Sequence, residues 1–509
     1  MAEVRIAVAY LLTVLPVVTC KLTIYPVADG APTSDKFRIY LSQDGQQQQQ
    51  SHVYITRSDH RYHEETKHVK RGRSMSWTSF AFTGGKVTVK VHAPKNFTNC
   101  IVRPTSYGYR CRRTGGEQVA VFEVTENTKM MSVEFDYDDG SKIGGPDITD
   151  KLMVFADPPE TSQPSKTDNS VIYYDAKVHD LSGQVKLNSN IREVYLAPGS
   201  FVKGAFKTMA DHGVKIHGRG VLDSSDINRK ECHMDSWAVI DINKGDNHIV
   251  EGITISDPCR FYMRALGTNN SINNIKMVGA WMYNNDGVVV GNNGTVADCF
   301  IHANDDAIKL RSDNTKITGC VIWQGQNGAV FQTGWVKRAV VHKVQISNID
   351  IIHIDWCTFQ PCNRLSENKA VFNHRQDKTK HFDISDVVMK DIRVEGTCPR
   401  VVYWKMDKGA QGRMRNIRFV NWSIQYQLRG KQFQNVIAGN ENNGTVENVQ
   451  FVNLRVDNRC VSSDTNFIDK PMTRNIKFTC DESKGRKHKA PARRRMELTR
   501  RSKKKQIRN

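Results

Sequence analysis

Long apolar runs are scarce in this chain of 509 residues. The one present, about fourteen residues near the N-terminus, is too short to cross a bilayer, and no later segment is apolar enough to do so. A glycine-rich phosphate loop, a serine-nucleophile motif and a His/Cys/Glu cluster with metal-ligand spacing are also missing. These absences argue against a membrane-spanning protein, a phosphate-loop enzyme, a serine hydrolase and a metalloenzyme.

Helical periodicity is missing as well. No apolar period of 3.6 residues persists for ten residues, and β-branched residues, Asn and Gly dominate the repeat region. Short runs that alternate between apolar and polar residues extend from residue 22 to residue 137. This period of two predicts an antiparallel β-sandwich. The Pro- and Ser-rich segment 157–170 predicts a linker or domain boundary.

An internal repeat follows from about residue 214. Its template, apolar-x-x-apolar-x-apolar, recurs at intervals of 21 to 38 residues, which is typical of a solenoid. The lack of L-x-x-L-x-L excludes leucine-rich repeats. We therefore expect an all-β fold, a right-handed parallel β-helix preceded by an N-terminal β-sandwich, rather than a propeller or a large sandwich. The copies begin at Val250, Ile272, Val296, Ile317, Ile346, Ile384, Met414, Val446 and Thr473.

The net charge of +20 is concentrated in one segment. Residues 484–509 hold thirteen Lys/Arg and one Glu, so they contribute +12 and leave +8 for the rest. This segment has almost no apolar residues and is expected to be disordered. The N-terminal apolar run fits a signal peptide, so we expect secretion. The predicted parts are a signal peptide (1–20), a β-sandwich (21–165), a parallel β-helix catalytic domain (166–482) and a disordered basic tail (483–509).

Twelve cysteines and five N-x-S/T sequons agree with a secreted, disulfide-bonded glycoprotein. Cys299 and Cys320 occupy equivalent positions of successive repeats, where two buried thiols are favoured over a disulfide. Proximity in the sequence makes three pairs candidates for disulfides: Cys100–Cys111, Cys357–Cys362 and Cys460–Cys480.

Three aspartates stand out in the segment 281–311. Asp286 ends an N-N-D motif, and Asp305 and Asp306 complete an N-D-D motif 19 and 20 residues later. If one coil of the β-helix takes about twenty residues, the three carboxylates stack on one side, roughly 5–10 Å apart. Adjacent residues of a regular strand face opposite sides, so the backbone must bend if Asp305 and Asp306 share one cleft.

Stacked carboxylates suit glycoside hydrolysis. The reaction needs one carboxylic acid to protonate the leaving oxygen and one carboxylate that acts as nucleophile or as base on water. Close carboxylates raise one pKa, which keeps an acid protonated, whereas Lys309 and Arg311 oppose this for the carboxylate they contact. A polar turn and a Ca²⁺ site are the simpler interpretations of N-D-D alone. The predicted site residues are Asp286, Asp305 and Asp306 for catalysis, and Asn285, Asn304, Lys309, Gln332 and Trp335 for substrate binding.

These motifs resemble glycoside hydrolase family 49, the dextranases and isopullulanases, and more distantly the polygalacturonases. The resemblance includes the N-terminal β region and the runs Y-L-A-P-G-S and I-H-G-R-G-V-L-D that open the solenoid, at 195–200 and 216–223. It implies an inverting hydrolase of α-1,6 or neighbouring α-1,4 linkages in an α-glucan such as dextran. Asp305 would be the general acid, and Asp286 and Asp306 would hold and deprotonate the attacking water.

Two alternatives stay open. Polygalacturonases add Gly-His-Gly on the next coil, whereas this chain has Q-G-Q-N-G at 324–328, yet its basic body would suit an acidic polysaccharide. The other alternative is a non-catalytic carbohydrate-binding solenoid. We expect no cofactor and no metal, a monomer, and a polysaccharide as partner, with no requirement for nucleic acid or a membrane. The basic tail is expected either to bind polyanions or to be a processed or solvated segment.

Overall fold

The structure, a computed structural model, describes residues 20–58, 72–139, 148–227, 237–357, 362, 365–375, 380–406, 409–441, 443–464 and 467–481. The predicted basic tail lies outside the described residues, as does the predicted signal peptide except for Cys20. Within these ranges the backbone forms β-strands and two short 3-10 helices. None of the helices described has the length and apolar character that a bilayer span requires.

The first part of the chain, up to residue 157, forms two sheets. Its elements are β1 (Lys21–Ile24), β2 (Arg38–Gln43), β3 (Gln49–Ser51), β4 (Tyr54–Arg57), β5 (Ser74–Thr83), β6 (Val87–His92), β7 (Phe97–Arg103), η1 (Thr105–Tyr107), β8 (Arg112–Arg113), β9 (Val119–Val124), β10 (Lys129–Tyr137) and β11 (Asp150–Asp157).

One sheet has the order β1-β5-β11-β10-β7 with β4 also paired to β5, and the other has the order β3-β2-β6-β9-β8. Neighbouring strands are antiparallel except for the parallel pair β5–β11. Alternate residues such as Val87, Val89 and Val91 are fully buried in the core that both sheets share. The period of two in the sequence therefore corresponds to a two-layer β structure.

The second part of the chain is one sheet of 32 strands. Its elements are β12 (Val171–Tyr174), β13 (Val178–Leu187), β14 (Glu193–Leu196), β15 (Phe201–Thr208), β16 (Lys215–Gly218), β17 (Val221–Asp223), β18 (Ala238–Ile242), β19 (Ile249–Glu251), β20 (Thr254–Ser256), β21 (Phe261–Ala265), β22 (Ser271–Asn273), β23 (Lys276–Val278), β24 (Val288–Val290), β25 (Thr295–Ala297), β26 (Phe300–Ala303), β27 (Ile308–Lys309), β28 (Lys316–Thr318), β29 (Val321–Gln324), β30 (Phe331–Gly334), β31 (Arg338–His342), β32 (Gln345–Ile354), β33 (Phe372–Arg375), β34 (His381–Cys398), β35 (Val402–Lys405), β36 (Gln411–Val420), β37 (Ser423–Gln427), η2 (Lys431–Phe433), β38 (Asn435–Ala438), β39 (Gly444–Val452), β40 (Arg455–Val456), β41 (Arg459–Cys460), β42 (Ile468–Asp469) and β43 (Thr473–Thr479).

Each coil contributes strands to parallel rows, because a strand pairs with one two to four places further along the chain. One such row is β18-β21-β24-β27-β30-β33, and it carries the candidate site. The pairings of this sheet are parallel except for β40–β41. The predicted fold class, a parallel β-helix preceded by a β-sandwich, is confirmed. The predicted boundary at 165/166 stays a prediction.

The repeat template has a direct structural meaning. Its three apolar positions form columns inside the helix, as in the column Ile253, Ile275, Cys299 and Cys320, all fully buried. The third template position turns the chain between two rows in the left-handed region, which Asn, Asp and Gly tolerate best. Residues with this conformation in the nine copies are Gly252, Asn274, Asp298, Gly319, Asn348, Asp386, Asn416, Asn448 and Asn475.

The sandwich packs against the outside of the β-helix along several coils. Phe155 of the sandwich contacts Phe300 with ring centroids 5.4 Å apart, and the same apolar cluster contains Trp281 and Trp323. A buried ion pair joins Lys276 Nζ to Asp157 Oδ1 at 2.8 Å. The sandwich is therefore tied to the coils that lie next to the three aspartates.

The predicted disulfides are present. Cys299 and Cys320 are buried free thiols, as predicted. Disulfides join Cys100 to Cys111, Cys357 to Cys362 and Cys460 to Cys480.

Candidate active site

Asp286 and Asp306 occupy equivalent positions on successive coils. Val288 of β24 pairs with Ile308 of β27. Asp286 lies two residues before Val288, and Asp306 lies two residues before Ile308. The amide N–H of Gly287 donates to the carbonyl oxygen of Asp306, which locks the two coils together at this point. The spacing of twenty residues in the sequence is thus one complete coil.

Asp305 and Asp306 lie in the bend between β26 and β27 rather than in a strand. This bend allows both carboxyl groups to line one groove, as the adjacency of the pair required. Asp305 Oδ2 accepts hydrogen bonds from the amide N–H of Asn284 at 2.7 Å and from Asn327 Nδ2 at 2.9 Å. One carboxylate oxygen from each of the three aspartates lies within 4.8 Å of the other two.

Lys309 connects two of the three carboxylates. Its Nζ lies 2.8 Å from Asp286 Oδ2 and also contacts Asp306 Oδ2. The other oxygen of Asp306 accepts a hydrogen bond from the amide N–H of Ala329 at 2.9 Å, so both of its oxygens are held. Asp286 Oδ1 is buried and has no hydrogen-bond partner among the described residues.

These contacts divide the electrostatics of the cluster. Burial raises the pKa of Asp305 to about 6, with a further rise from Asp306 and an opposing effect from Lys309. Burial also raises the pKa of Asp286 well above its ordinary value, and Lys309 again opposes the rise. Burial lowers the pKa of Lys309, but Asp286 and Asp306 outweigh it and raise that pKa above its usual range. The cluster therefore retains protons at a pH where exposed carboxyl groups have lost them.

The groove has a volume of about 420 Å³. Five of the eight predicted site residues line it, and aromatic side chains form part of its wall. The predicted residues on the wall are Asp286, Asp305, Asp306, Lys309 and Trp335. Other residues on the wall are Trp237, Phe261, Arg264, Tyr283, Asn284, Arg311, Asn327 and Asn368.

The other three predicted residues do not line the groove. Asn304 and Gln332 are almost completely buried; Asn304 Oδ1 accepts from the amide N–H of Gln326, and Gln332 Nε2 donates to the carbonyl oxygen of Thr333. Their amides therefore hold the backbone of the coils.

The side chain of Asn285 stabilises the N-N-D turn through hydrogen bonds to the backbone. Its Oδ1 accepts from the amide N–H groups of Trp281 and Met282, and its Nδ2 donates to the carbonyl oxygens of Pro258 and Arg260. Asn285 is not among the residues that line the groove, and its substrate-binding role stays a prediction. Asn285 and Asn304, which precede Asp286 and Asp305, thus hold the backbone around the aspartates.

Two residues of the next coil belong to the site although their motif has no obvious signature. Asn327 holds Asp305, and Gly328 lies under the aspartate pair with φ +67°. A Cβ on Gly328 would come within 2.4 Å of the carbonyl carbon of Asp305 and the amide nitrogen of Asp306. The signal in the sequence was an N-G step 22 and 23 residues after Asp305.

The three carboxyl groups could hold a metal ion by their spacing alone. Lys309 Nζ already contacts Oδ2 of both Asp286 and Asp306. A divalent cation bound to the same oxygens would face the repulsion of this buried ammonium. The donor set therefore fits proton transfer better than metal binding.

The fold and groove together define a class: a parallel β-helix protein with a buried cluster of three carboxyl groups in a groove on one face. No family model matches the chain. In sequence the chain is 25% identical over 406 residues to a dextranase of Arthrobacter globiformis, which covers 64% of this chain and 62% of the relative. It is 26% identical over 329 residues to an isopullulanase of Aspergillus niger, with 55% and 58% covered.

The chain is thus a homologue of dextranases and an isopullulanase, and the resemblance to glycoside hydrolase family 49 is confirmed. Its fold matches the solved structure of Dex49A from Penicillium minioluteum with a TM-score of 0.70 and 20% sequence identity, over 88% of this chain and 94% of that one. The alignment with the Arthrobacter globiformis dextranase spans less than two thirds of that protein.

Proposed function

We propose that the protein is a secreted glycoside hydrolase that cleaves α-1,6 or neighbouring α-1,4 linkages in an α-glucan such as dextran, with inversion at the anomeric carbon. The observation that carries the proposal is the division of three groove carboxyls into a pair bridged by Lys309 and a third, Asp305, outside this bridge. The relationship to dextranases and an isopullulanase supports the reaction type and the substrate.

Asp305 is the proposed general acid. A leaving glycosidic oxygen needs a proton in the transition state, and an acid with a pKa near the working pH supplies it efficiently. Burial raises the pKa of Asp305 to about 6. The hydrogen bonds from Asn284 and Asn327 fix the carboxyl group and define the orientation in which it meets the sugar.

Asp286 is the proposed base. Asp286 lines the groove, and its buried Oδ1 is an acceptor that no described protein group uses, so an attacking water could donate a hydrogen bond to it. A raised pKa makes the ionised carboxylate a stronger base toward water. Asp306, with both oxygens held by Lys309 and Ala329, orients the same water without competing for its proton.

Lys309 is a positioning residue in this scheme. Its ammonium keeps Asp286 and Asp306 at a fixed separation and opposes the rise in the pKa of Asp286. Without it, burial and the repulsion between three carboxylates would keep the base protonated. The proposed site thus contains one acid, one base, one orienting carboxylate and one cation.

Product analysis tests the proposal. The protein is incubated with dextran, pullulan and polygalacturonate, and new reducing ends are counted while NMR follows the anomer released first. The proposal expects release from dextran or pullulan, with the β-anomer appearing before mutarotation. Release of the α-anomer first contradicts inversion, and the absence of release from both glucans contradicts the substrate class.

A matched pair of variants assigns the acid. Asp305→Asn should abolish most of the release, whereas Asp313→Asn, which changes a half-exposed carboxylate outside the groove, should retain it. Both variants should bind dextran. If Asp305→Asn releases product at a rate close to that of the unaltered protein, the acid is another residue.

A further inference from the structure

Two arginines on the groove wall have no task in the chemistry proposed above. Arg264 lies on β21, where its row neighbour is Val289, and Val289 in turn pairs with Lys309 of β27. Arg311 follows Lys309 by two residues, which points it to the same side of the row. Both arginines therefore flank the carboxylate cluster from one side of the groove.

Their guanidinium groups are poorly satisfied by the protein. Within the described ranges, neither donates a hydrogen bond from its side chain, and the approach of Arg264 Nη1 to Asp241 Oδ2, at 3.8 Å, is too long for one. The side chain of Arg264 is only 21% exposed. Each guanidinium presents five N–H donors in a planar fork, so the pair leaves an unusual number of donors open in a confined space.

The charges around Arg264 and Arg311 also indicate that the protein does not fully satisfy the two guanidinium groups. Burial lowers the pKa of Arg311, and Arg264 lowers it further, although Asp306 and Asp286 raise it. The two guanidinium groups thus repel each other on the groove wall. Asp241 faces Arg264 at 3.8 Å, but the carboxylates that compensate Arg311, Asp286 and Asp306, already contact Lys309. An oxyanion between the arginines would relieve this repulsion and accept the open N–H groups.

We propose that Arg264 and Arg311 form an oxyanion subsite, which binds a carboxylate or sulfate group carried by the polysaccharide beside the linkage that is cleaved. The inference rests on the proposed glycoside hydrolysis and adds to it a preference for an acidic α-glucan over a neutral one. The chain outside its basic C-terminal segment carries a net charge of +8, which favours association with a polyanion.

Direct binding tests the subsite without catalysis. Calorimetric titration of the full chain with glucose, glucuronate and glucose 3-sulfate should show at least tenfold tighter binding of an anionic sugar than of glucose. Whichever anionic sugar binds more tightly identifies carboxylate or sulfate as the group recognised. Equal affinity for all three sugars overturns the proposal.

Charge-matched variants assign the binding to the groove. Arg311→Gln and Arg264→Gln should each weaken the anionic sugar at least tenfold and reduce the preference over glucose. Arg418→Gln removes the same charge from an exposed position on β36 and should keep the preference. If Arg311→Gln weakens glucose and the anionic sugars by the same factor, the arginines bind sugar hydroxyls and the proposal fails.

The same variants separate this inference from the reaction itself. The unaltered protein should show a higher kcat/KM on lightly carboxymethylated or sulfated dextran than on dextran. Arg311→Gln should lower the ratio of the acidic-polymer kcat/KM to the dextran kcat/KM at least tenfold. If the protein prefers anionic sugars in the titration but hydrolyses no polymer, the proposed function is refuted and the subsite is supported. A protein that hydrolyses neutral dextran with the higher kcat/KM refutes the subsite and leaves the function.

Discussion

Removal of the Lys309 ammonium is the sharpest perturbation that the site offers. Lys309→Met keeps the length and apolar stem of the side chain but leaves Asp286 and Asp306 without the cation that both contact. Breaking a buried ion pair by removing one partner destabilises a protein by about 3–5 kcal/mol. We expect a loss of this size at pH 7, because the carboxylates are then buried without a cation.

The loss must depend on pH. Lys309 lowers the pKa of both Asp286 and Asp305, so its removal raises both further above the values of the unfolded chain. A native state that holds an extra proton loses stability as pH rises, by about 1.4 kcal/mol per pH unit for each proton. Over three pH units one proton accounts for roughly 4 kcal/mol, so the loss at pH 4 should be less than half that at pH 7.

Urea unfolding at pH 4 and pH 7 measures both numbers, with the shift in midpoint multiplied by the slope giving the change in free energy. Lys316→Met, an exposed position on the neighbouring strand β28, serves as control and should change stability by less than about 0.5 kcal/mol at either pH. Equal losses for Lys309→Met at the two pH values would refute the reasoning, since they would mean that the lysine only fills space.

Three further predictions concern the same site. Asp305 acts while protonated, so kcat/KM on dextran should fall as pH rises above about 6, and this limb should be missing from the residual activity of Asp305→Asn. Asp286→Asn removes the base and should lower kcat by a factor of about 10²–10⁴ with KM little changed; a loss below tenfold contradicts the role. Gly328→Ala should lower kcat more than Gly396→Ala does, because both glycines have φ near +67° but a Cβ at Gly396 meets nothing within 4 Å; equal activity of the two variants would show that the backbone under the aspartates tolerates the clash.

Much of the fold could be predicted because the repeat is regular where it matters. Columns such as Ile253, Ile275 and Cys299 require an apolar residue on every coil, and the position just before each of them requires a residue that tolerates positive φ. No insertion separates Asp286 from Asp306, so sequence spacing translated directly into stacking. The bend at the aspartate pair followed from the strict alternation of strands.

The remainder depends on side-chain directions and on contacts that are distant in sequence. Neighbours of the aspartates such as Asn285 and Gln332 were predicted to bind substrate, yet their amides bond to the backbone, which periodicity does not reveal. The contact of Phe155 with Phe300 joins residues that belong to different folding units, so no local pattern indicates which face of the helix the sandwich covers. The bridge from Lys309 to Asp286 and Asp306 likewise depends on the conformations of three side chains, which the sequence pattern does not reveal.

The sandwich that covers one side of the β-helix also sets how the stack can come apart. In a solenoid each coil contacts mainly its neighbours, so coils can in principle detach one at a time from an end. The apolar cluster that joins the sandwich to the β-helix includes residues from Phe201 to Ile352, and Arg103 of the sandwich also contacts Glu395. The sandwich therefore connects several successive coils. Because the sandwich connects the coils that carry the aspartates to their neighbours, we expect these coils to open together rather than one at a time.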